Sequence, residues 1–313
     1  MELLFLLASI GLLSLLDFGG GSSGGGTEDE PDTVGDPIEG TELADDIEGT
    51  SLGETITGSG GFDDIAAGGG DDVVFGGFGQ DLIEGGAGDD ILNGENWNDG
   101  LFGGAGDDDL YGGSSNDILV GGDGSDTLYG GSGNDDLIDS FGADTLYGGD
   151  GDDTLVASDI FTRDLTPQDY SDLRDGALGR DEDGEIIFEG FAVEGAPDTA
   201  STDTLYGGAG DDTLLVGNND VVFGGDGEDD FVVGDWVNVD GEGTVIRDFD
   251  TAEDVLIVAL SDDNADAEVD IIDRGATMEV QINGQTVVRV EGTFDSVDGL
   301  DGSILTTTYT PAA

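Results

Sequence analysis

The chain has 313 residues, of which 74 are Asp or Glu and 6 are Lys or Arg, so its formal net charge is −68 at neutral pH. This balance excludes nucleic acid as a partner, because binding to phosphates needs clusters of Lys and Arg. The absence of His and Cys excludes zinc fingers, thiol nucleophiles, Ser-His-Asp triads and cores held by disulfides.

A compact chain with this charge would repel itself apart in ordinary water. Two outcomes are open: the chain is permanently disordered, or cations neutralise a large part of the charge. Disorder predicts an irregular sequence that is poor in apolar residues, and hydrophobic residues make up 36% of this chain. A regular repeat in the sequence would therefore decide between the two.

Residues 1–18 form an apolar N-terminal segment, and residues 19–32, which are rich in Gly, Ser and acidic residues, form a flexible linker. As a helix, the apolar stretch at 3–16 would span about 21 Å, less than the ~30 Å hydrocarbon core of a bilayer, so we do not expect it to cross a membrane. Three alternatives stay open for this stretch. It is an atypical export signal, with Glu2 where basic residues are usual, a membrane-surface anchor, or a helix docked on the protein or on a partner.

Residues 31–156 divide into 14 consecutive units of nine residues without an insertion. Clear copies are GGAGDDILN (85–93), GGAGDDDLY (103–111) and GGDGDDTLV (148–156), and a shorter array follows within 198–232, with one unit a residue short. The sixth position is acidic and the eighth is aliphatic in all 14 units. Two such fixed columns argue against disorder in this region.

Each unit combines a short strand with a Gly-rich turn. Side chains alternate along a strand, so the aliphatic eighth residue faces inward while the seventh and ninth face outward. Gly in the turn permits positive φ angles and lets its carbonyl approach a ligand closely. Two units make one coil of 18 residues, and stacked coils predict two parallel sheets with one aliphatic column each.

The consensus GGxGxDxUx, in which U is a large apolar residue, resembles the haemolysin-type calcium-binding nonapeptide of RTX proteins. The resemblance covers about half of the chain and implies an all-β fold: a right-handed parallel β-roll with a C-terminal antiparallel β cap. It also implies several bound Ca²⁺ ions. Calcium is a hard cation that takes 6–8 oxygen ligands, and its binding would supply folding free energy that the thin aliphatic core lacks.

In the family, each ion lies between two turns on the same edge of the roll, which are two units apart in sequence. The sixth-position Asp and carbonyls of the Gly-rich turn hold it. Carried over residue by residue, the implied Asp ligands are Asp63, Asp72, Asp81, Asp90, Asp99, Asp108, Asp117, Asp126, Asp135, Asp144, Asp153, Asp203, Asp212, Asp220 and Asp229. The implied carbonyl ligands are those of Gly68, Gly70, Gly77, Gly79, Gly86, Gly88, Gly104, Gly106, Gly122, Gly124, Gly131, Gly133, Gly149, Gly151, Gly208, Gly210, Gly225 and Gly227.

The turns differ in how closely they follow the motif. On one edge, the turns that end in Asp72, Asp90, Asp108 and Asp126 are nearly ideal, whereas DSFGAD (139–144) lacks the first two glycines and is a doubtful calcium site. Pairing the good turns on both edges predicts about five to ten calcium ions.

On the other edge, GENWND (94–99) departs most, because Glu95 and Trp97 stand at glycine positions. Asp135 and Asp153 belong to the best pair of turns there. The first two or three units of the repeat domain 33–156 keep the two columns but lose most glycines, so we interpret them as an N-terminal cap with weak or no calcium binding.

Residues 157–197 interrupt the repeats and carry Arg163, Arg174 and Arg180. This insertion is either a grafted recognition element or a surface insertion that the roll tolerates. Paired carboxylates could in principle cleave glycosides, but no pair stands out among the acidic residues. We therefore expect that the chain is not an enzyme.

Tyr111, Tyr129 and Tyr147 occupy the ninth position of three units and are 18 residues apart. Their spacing predicts a ladder of aromatic rings, one above the next, on the outer face of one sheet. Such a ladder either packs across strands or binds a glycan or a cell-surface partner.

The C-terminal region, 233–313, has a different period. Four strands are predicted at 243–250, 254–260, 277–283 and 285–292, and Asn283-Gly284 between the last two indicates a hairpin. These strands resemble the antiparallel cap that closes RTX rolls, where a cap prevents edge pairing. In the family this region also carries the signal that a type I secretion machine reads.

Taken together, these features predict a secreted bacterial protein, extracellular or on the cell surface, that folds when it meets calcium at about 10⁻⁴–10⁻³ M outside the cell. The first hypothesis for its role is a structural or adhesive surface or matrix protein. The alternative is an accessory module that recognises a glycan or protein, and a third is a remnant or accessory of an RTX toxin or polysaccharide-modifying enzyme. Contact with a membrane is expected only through residues 3–16.

Overall fold

A computed structural model describes residues 35–139, 141–157, 202–234, 237, 243–261, 266–274, 277–293 and 304–309. All of them lie in one unit, Thr33–Ala313. Every regular element in these ranges is a β-strand. In chain order the strands are β1 (Ile38–Glu39), β2 (Asp46–Glu48), β3 (Thr55–Gly60), β4 (Asp64–Gly69), β5 (Val73–Phe78), β6 (Leu82–Ala87), β7 (Ile91–Asn96), β8 (Gly100–Ala105), β9 (Asp109–Ser114), β10 (Ile118–Asp123), β11 (Thr127–Ser132), β12 (Asp136–Asp139), β13 (Thr145–Asp150), β14 (Thr154–Ala157), β15 (Thr204–Ala209), β16 (Thr213–Val216), β17 (Val221–Asp226), β18 (Asp230–Gly234), β19 (Thr244–Asp250), β20 (Val255–Ser261), β21 (Val269–Asp273), β22 (Thr277–Ile282), β23 (Gln285–Thr293) and β24 (Ile304–Tyr309).

Consecutive strands alternate between two sheets. One sheet has 13 strands in the order β1-β3-β5-β7-β9-β11-β13-β15-β17-β19-β23-β22-β21, and the other has 11 strands in the order β2-β4-β6-β8-β10-β12-β14-β16-β18-β20-β24. Neighbours within the roll are parallel and one coil apart, as the pairing of Thr127 with Thr145 shows. The predicted parallel β-roll of 18-residue coils is therefore confirmed.

The core lies between the two sheets, and within the roll it is built mainly from the eighth-position residues. In β11, for example, Leu128 is fully buried while its neighbours Thr127 and Tyr129 are half-buried, because successive side chains point to opposite faces. Each coil thus contributes one aliphatic side chain per sheet. In the regular coils, the fully buried column comprises Ile56, Ile65, Val74, Ile83, Leu92, Leu101, Leu110, Leu119, Leu128, Leu137, Leu146 and Leu155.

The turns between strands require positive φ at their second and fourth positions. In the turn at 85–90, Gly86 has φ +111° and Gly88 has φ +132°, and a Cβ on Gly86 would clash with the carbonyl of Gly68 one coil below. Only Gly meets both conditions without strain. Glu95 and Trp97 nevertheless adopt φ 74° and 81° at these positions, so the turn that departs from the motif keeps its shape at a cost in backbone strain.

The second array stacks directly on the first. Thr145 pairs with Thr204 and Thr154 pairs with Thr213, so partners are 59 positions apart rather than 18, and the extra 41 residues equal the length of the predicted insertion. The insertion itself, 157–197, lies almost wholly outside the described residues. The short unit also stacks in register, because Thr204 pairs with Val221 only 17 positions on.

The C-terminal strands first extend the roll and then change direction. β19 and β20 pair in parallel with β17 and β18, whereas β21, β22 and β23 pair antiparallel around the turn at Asn283 (φ 52°) and Gly284 (φ 79°). All four predicted strands and the hairpin are present. Among the described strands, the antiparallel pairing is confined to β21–β23. The parallel stack therefore continues into β19 and β20, beyond the last nonapeptide repeat.

No helix in the described ranges is long and apolar enough to cross a membrane. The alternatives for the apolar stretch at 3–16 concern residues outside those ranges and stay predictions.

Candidate metal centre

The sixth-position Asp side chains lie inside the turns. Asp90 and Asp108, on the first edge, are each 1% exposed. The backbone N–H of Asp90 donates to Oδ1 of Asp108 (2.7 Å), and the N–H of Asp108 donates to Oδ1 of Asp126 (2.7 Å). Each carboxylate therefore joins its own turn to the turn one coil below, and the side chains form a continuous row.

The second edge carries an equivalent row. The N–H of Asp99 donates to Oδ1 of Asp117, and the N–H of Asp117 donates to Oδ1 of Asp135, both at 2.8 Å. The rows also continue across the insertion, since the N–H of Asp153 donates to Oδ1 of Asp212 at 2.9 Å. The structure thus places all of the predicted Asp ligands in two rows, one along each edge.

The other carboxylate oxygen, Oδ2, is the chemically unusual feature of these rows. A buried carboxylate oxygen without a partner is costly unless a cation or a proton neutralises it. In the described part of the chain, Oδ2 is buried and accepts no hydrogen bond in Asp63, Asp72, Asp81, Asp90, Asp99, Asp108, Asp117, Asp126, Asp135, Asp153 and Asp212.

Glycine at the first position of most turns keeps space for this oxygen. A Cβ on Gly76 would lie 2.6 Å from Oδ2 of Asp81, and a Cβ on Gly112 would lie 2.6 Å from Oδ2 of Asp117. Carbonyl oxygens of the turn glycines face the next turn, as that of Gly68 faces Gly86. All of the glycines predicted to supply carbonyl ligands have positive φ. Carboxylate and carbonyl oxygens of this kind suit calcium, so the turns fit the ion that the resemblance implies.

Burial raises the pKa of the row carboxyls above the ordinary value of 3.8, because it removes water from the charged form. The N–H donated from the neighbouring turn opposes this shift, and nearby carboxylates add to it in most of the turns. The pKa is raised to about 6 for Asp81 and Asp135, to about 7 for Asp90 and Asp212, and to about 8 for Asp99, Asp108, Asp117 and Asp153. Without a cation, the carboxyls whose pKa is about 8 therefore favour the protonated form near neutral pH.

A second row of acidic residues lies outside the first. It consists of fifth-position residues, which are exposed, and its hydrogen bonds run in the opposite direction. The N–H of Asp107 donates to Oδ1 of Asp89 (3.0 Å), and the N–H of Ser125 donates to Oδ1 of Asp107 (2.9 Å). Part of the large negative charge is therefore solvated on the surface of the turns, next to the buried row.

Two acidic positions went unpredicted. Asp254, beyond the nonapeptides, extends the second row, because its Oδ1 accepts the N–H of Asp229 at 3.2 Å. Asp139 occupies the first position of the turn DSFGAD, and carboxylate oxygens of Asp126, Asp139 and Asp144 lie within 4.8 Å of one another. An acidic residue in place of the first glycine was the sequence feature that could have indicated a ligand at Asp139. The prediction instead interpreted the missing glycines of this turn as a weakened calcium site.

Comparison with known families agrees with this geometry. The model of the RTX calcium-binding nonapeptide repeat matches residues 48–83, 76–101, 102–137, 129–159 and 198–218. The gap in these matches coincides with the predicted insertion. No curated protein matches the chain. Residues 48–159 and 198–218, which build the parallel roll and its rows of buried carboxylates, therefore belong to the RTX calcium-binding nonapeptide repeat family.

Proposed function

We propose that the chain is a secreted protein whose roll folds when calcium fills the turns, and that it serves as a structural or adhesive component of a bacterial surface or matrix. The buried Oδ2 atoms that accept no hydrogen bond, described above for both rows, are the observation that supports the calcium-binding part of this proposal. Such a role needs binding and rigidity rather than turnover, so we also propose that the chain has no catalytic activity.

Bound calcium would neutralise the row carboxylates at the positions where Oδ2 lacks a donor. In the folded roll, the hydrogen bond from the N–H of the neighbouring turn to Oδ1 fixes each carboxylate. It thereby sets the position of Oδ2 relative to the next turn. Calcium binding would then be coupled to folding, because the unfolded chain has no such site. At the low calcium of the cytosol the chain would stay unfolded, and at about 10⁻⁴–10⁻³ M outside the cell it would fold.

Calcium titration of the full chain, followed by circular dichroism and by counting of bound metal, tests the first part of the proposal. We expect β structure to develop cooperatively with calcium, to vanish in chelator, and to bind about five to ten ions. Magnesium should substitute poorly, because it demands a tighter octahedral geometry. A chain that is equally folded in chelator would overturn the proposal.

Export is tested separately. We expect the full chain to reach the medium from cells that express a type I secretion machine and to stay inside matched cells that lack it. Equal amounts in both media would contradict the proposed route, while leaving calcium-dependent folding untouched.

The aromatic ladder bears on the alternative function, recognition of a glycan. Tyr111, Tyr129, Tyr147, Tyr206 and Phe223 stack with ring centroids 4.8 to 4.9 Å apart and planes within 8° of parallel. Each inner ring therefore has both faces covered by its neighbours, and a sugar could reach ring edges but no inner face. This arrangement favours packing across strands.

Tyr147→Ala and Tyr147→Phe distinguish packing from recognition. If the ladder is structural, we expect the Ala variant to lose stability, the Phe variant to keep it, and neither wild type nor variants to bind a glycan array. Glycan binding that both substitutions abolish would instead support recognition through the Tyr hydroxyl.

A further inference from the structure

The turn DSFGAD has a carboxylate where the neighbouring turns have glycine. Asp139 occupies its first position, and its side chain extends toward the turn one coil below. A Cβ on Gly121 would meet Oδ2 of Asp139 and, at 2.5 Å, Oδ2 of Asp126, and the N–H of Gly122 donates to Oδ1 of Asp139 at 3.4 Å. Asp139 therefore reaches the place where the turn of Asp126 directs its own Oδ2.

Three carboxylates meet at this point. One oxygen each from Asp126, Asp139 and Asp144 lies within 4.8 Å of the other two. The three residues are 1%, 1% and 2% exposed, respectively. The regular turns that end in Asp90, Asp108 and Asp126 have glycine at the first position, so this pair of turns holds one more negative charge than those pairs.

Asp126 supplies a separate indication that a cation belongs here. Its Oδ1 accepts the N–H of Asp108 at 2.7 Å, whereas its Oδ2 is fully buried and accepts no hydrogen bond in the described part of the chain. This oxygen points at the same space beside Gly121 that Asp139 enters. Buried carboxylates that converge repel one another, and a multivalent cation bound between them would relieve this repulsion and give Oδ2 of Asp126 a partner.

We propose that Asp139 adds a third carboxylate to the cation site between the turns of Asp126 and Asp144, and that this site binds calcium more tightly than the regular turn sites and fills first. The inference rests on the proposed calcium binding and deepens it. Ligand charge is one of the quantities that set calcium affinity, and three carboxylates exceed what the regular turns offer. A trivalent lanthanide ion, which prefers the same oxygen ligands, would favour this site even more strongly.

The position of the site gives it a structural consequence. The row continues from Asp144 across the insertion, because the N–H of Asp144 donates to Oδ1 of Asp203 at 3.0 Å. An ion held at Asp144 would fix the last complete turn of this edge before the insertion. The second array would then have an ordered coil on which to stack.

Titration of the full chain with Tb³⁺ and with Ca²⁺ tests the site, with Asp139→Gly and Asp139→Asn as variants. Asp139→Gly restores the consensus glycine at the first position of the turn and so is expected to fold, which circular dichroism in saturating calcium checks. Asp90→Asn, in a regular turn of the same edge, is the matched control. We expect wild type to bind one ion at least about tenfold more tightly than the others, both Asp139 variants to lose that tight ion, and Asp90→Asn to keep it.

Retention of the tight ion in Asp139→Gly would overturn the proposal, as would folding of that variant at lower calcium than wild type, which would mean that Asp139 merely repels its neighbours. In either case the regular turns could still bind calcium, so the proposed function would stand. A wild-type chain that binds no calcium at any site would overturn both.

Discussion

Each row Asp uses its two carboxylate oxygens differently. In Asp108, Oδ1 accepts the N–H of Asp90, which fixes the register of adjacent coils, and Oδ2 is left for a cation. Asn keeps one oxygen acceptor but removes the charge, so it separates the two roles. The same substitution at Asp107, the exposed neighbour whose Oδ1 accepts the N–H of Ser125, is a matched control.

We predict that Asp108→Asn has opposite effects with and without calcium. In chelator above pH 8, where the Asp108 carboxyl is ionised although burial raises its pKa to about 8, the compact state should gain about 1–3 kcal/mol, because a buried charge without a partner is gone. In calcium, the variant should bind fewer ions and need more calcium to fold. Circular dichroism at a series of calcium concentrations measures both, and Asp107→Asn, whose side chain is exposed, should change both much less. A loss of stability in both conditions would contradict the division of roles.

Strained turns give a second prediction at this scale. Trp97 has φ 81° and is 61% exposed, so its side chain adds little packing to offset the left-handed backbone. Trp97→Gly should stabilise the calcium-bound roll by about 0.5–1 kcal/mol. This value is the backbone strain that Gly relieves minus the free-energy cost of the greater conformational entropy of Gly in the unfolded chain. Asn98→Gly, one residue on and also exposed, should not stabilise. Denaturant unfolding in saturating calcium measures the stability of both variants. A lower unfolding midpoint for Trp97→Gly than for wild type would contradict the interpretation that the backbone at Trp97 is strained.

At the scale of elements, the period of nine predicted the strands, the inward aliphatic column, the positive-φ glycines and both rows of Asp. It did so because each unit repeats the same backbone conformation, and even Glu95 and Trp97 follow it. The extension of the ladder to Tyr206 and Phe223 escaped prediction, since the insertion breaks the spacing of 18 in sequence but not in space. The convergence of Asp139 on Asp126 was not predicted for a related reason. It depends on contacts between adjacent coils and not on a residue pattern within a single coil.

The rows of turns also predict a dependence on pH. Row carboxyls have folded-state pKa values of about 6 to about 8, raised by burial above the ordinary 3.8. In chelator, the folded state thus binds more protons than the unfolded state between pH 4 and 8, so the free energy of unfolding falls as pH rises. The contribution is fully present below the unfolded pKa and is lost as pH passes the folded values.

We therefore predict that the calcium-free chain is more compact at pH 5 than at pH 8, by circular dichroism and urea unfolding in chelator. In calcium the trend should weaken or reverse, because calcium and protons compete for the same carboxylates. Stability in chelator that rises with pH would show that the carboxyls of the rows are not buried as described.

For the whole molecule, the net charge of −68 is shared between the buried rows, where cations can neutralise it, and exposed positions such as Asp71, Asp89 and Asp107. Self-repulsion among the exposed charges opposes the compact state even when calcium is bound. Monovalent salt screens it, because the Debye length falls from about 10 Å at 0.1 M to about 3 Å at 1 M.

At saturating calcium, the midpoint of thermal unfolding should therefore rise with NaCl over this range. The triple variant Asp71→Asn, Asp89→Asn, Asp107→Asn keeps the oxygen acceptors of the exposed row but removes three of its charges, so its midpoint should start higher and rise less. A flat or falling midpoint in wild type would mean that the exposed charge does not oppose folding, and an unchanged salt slope in the triple variant would place the repulsion elsewhere on the surface.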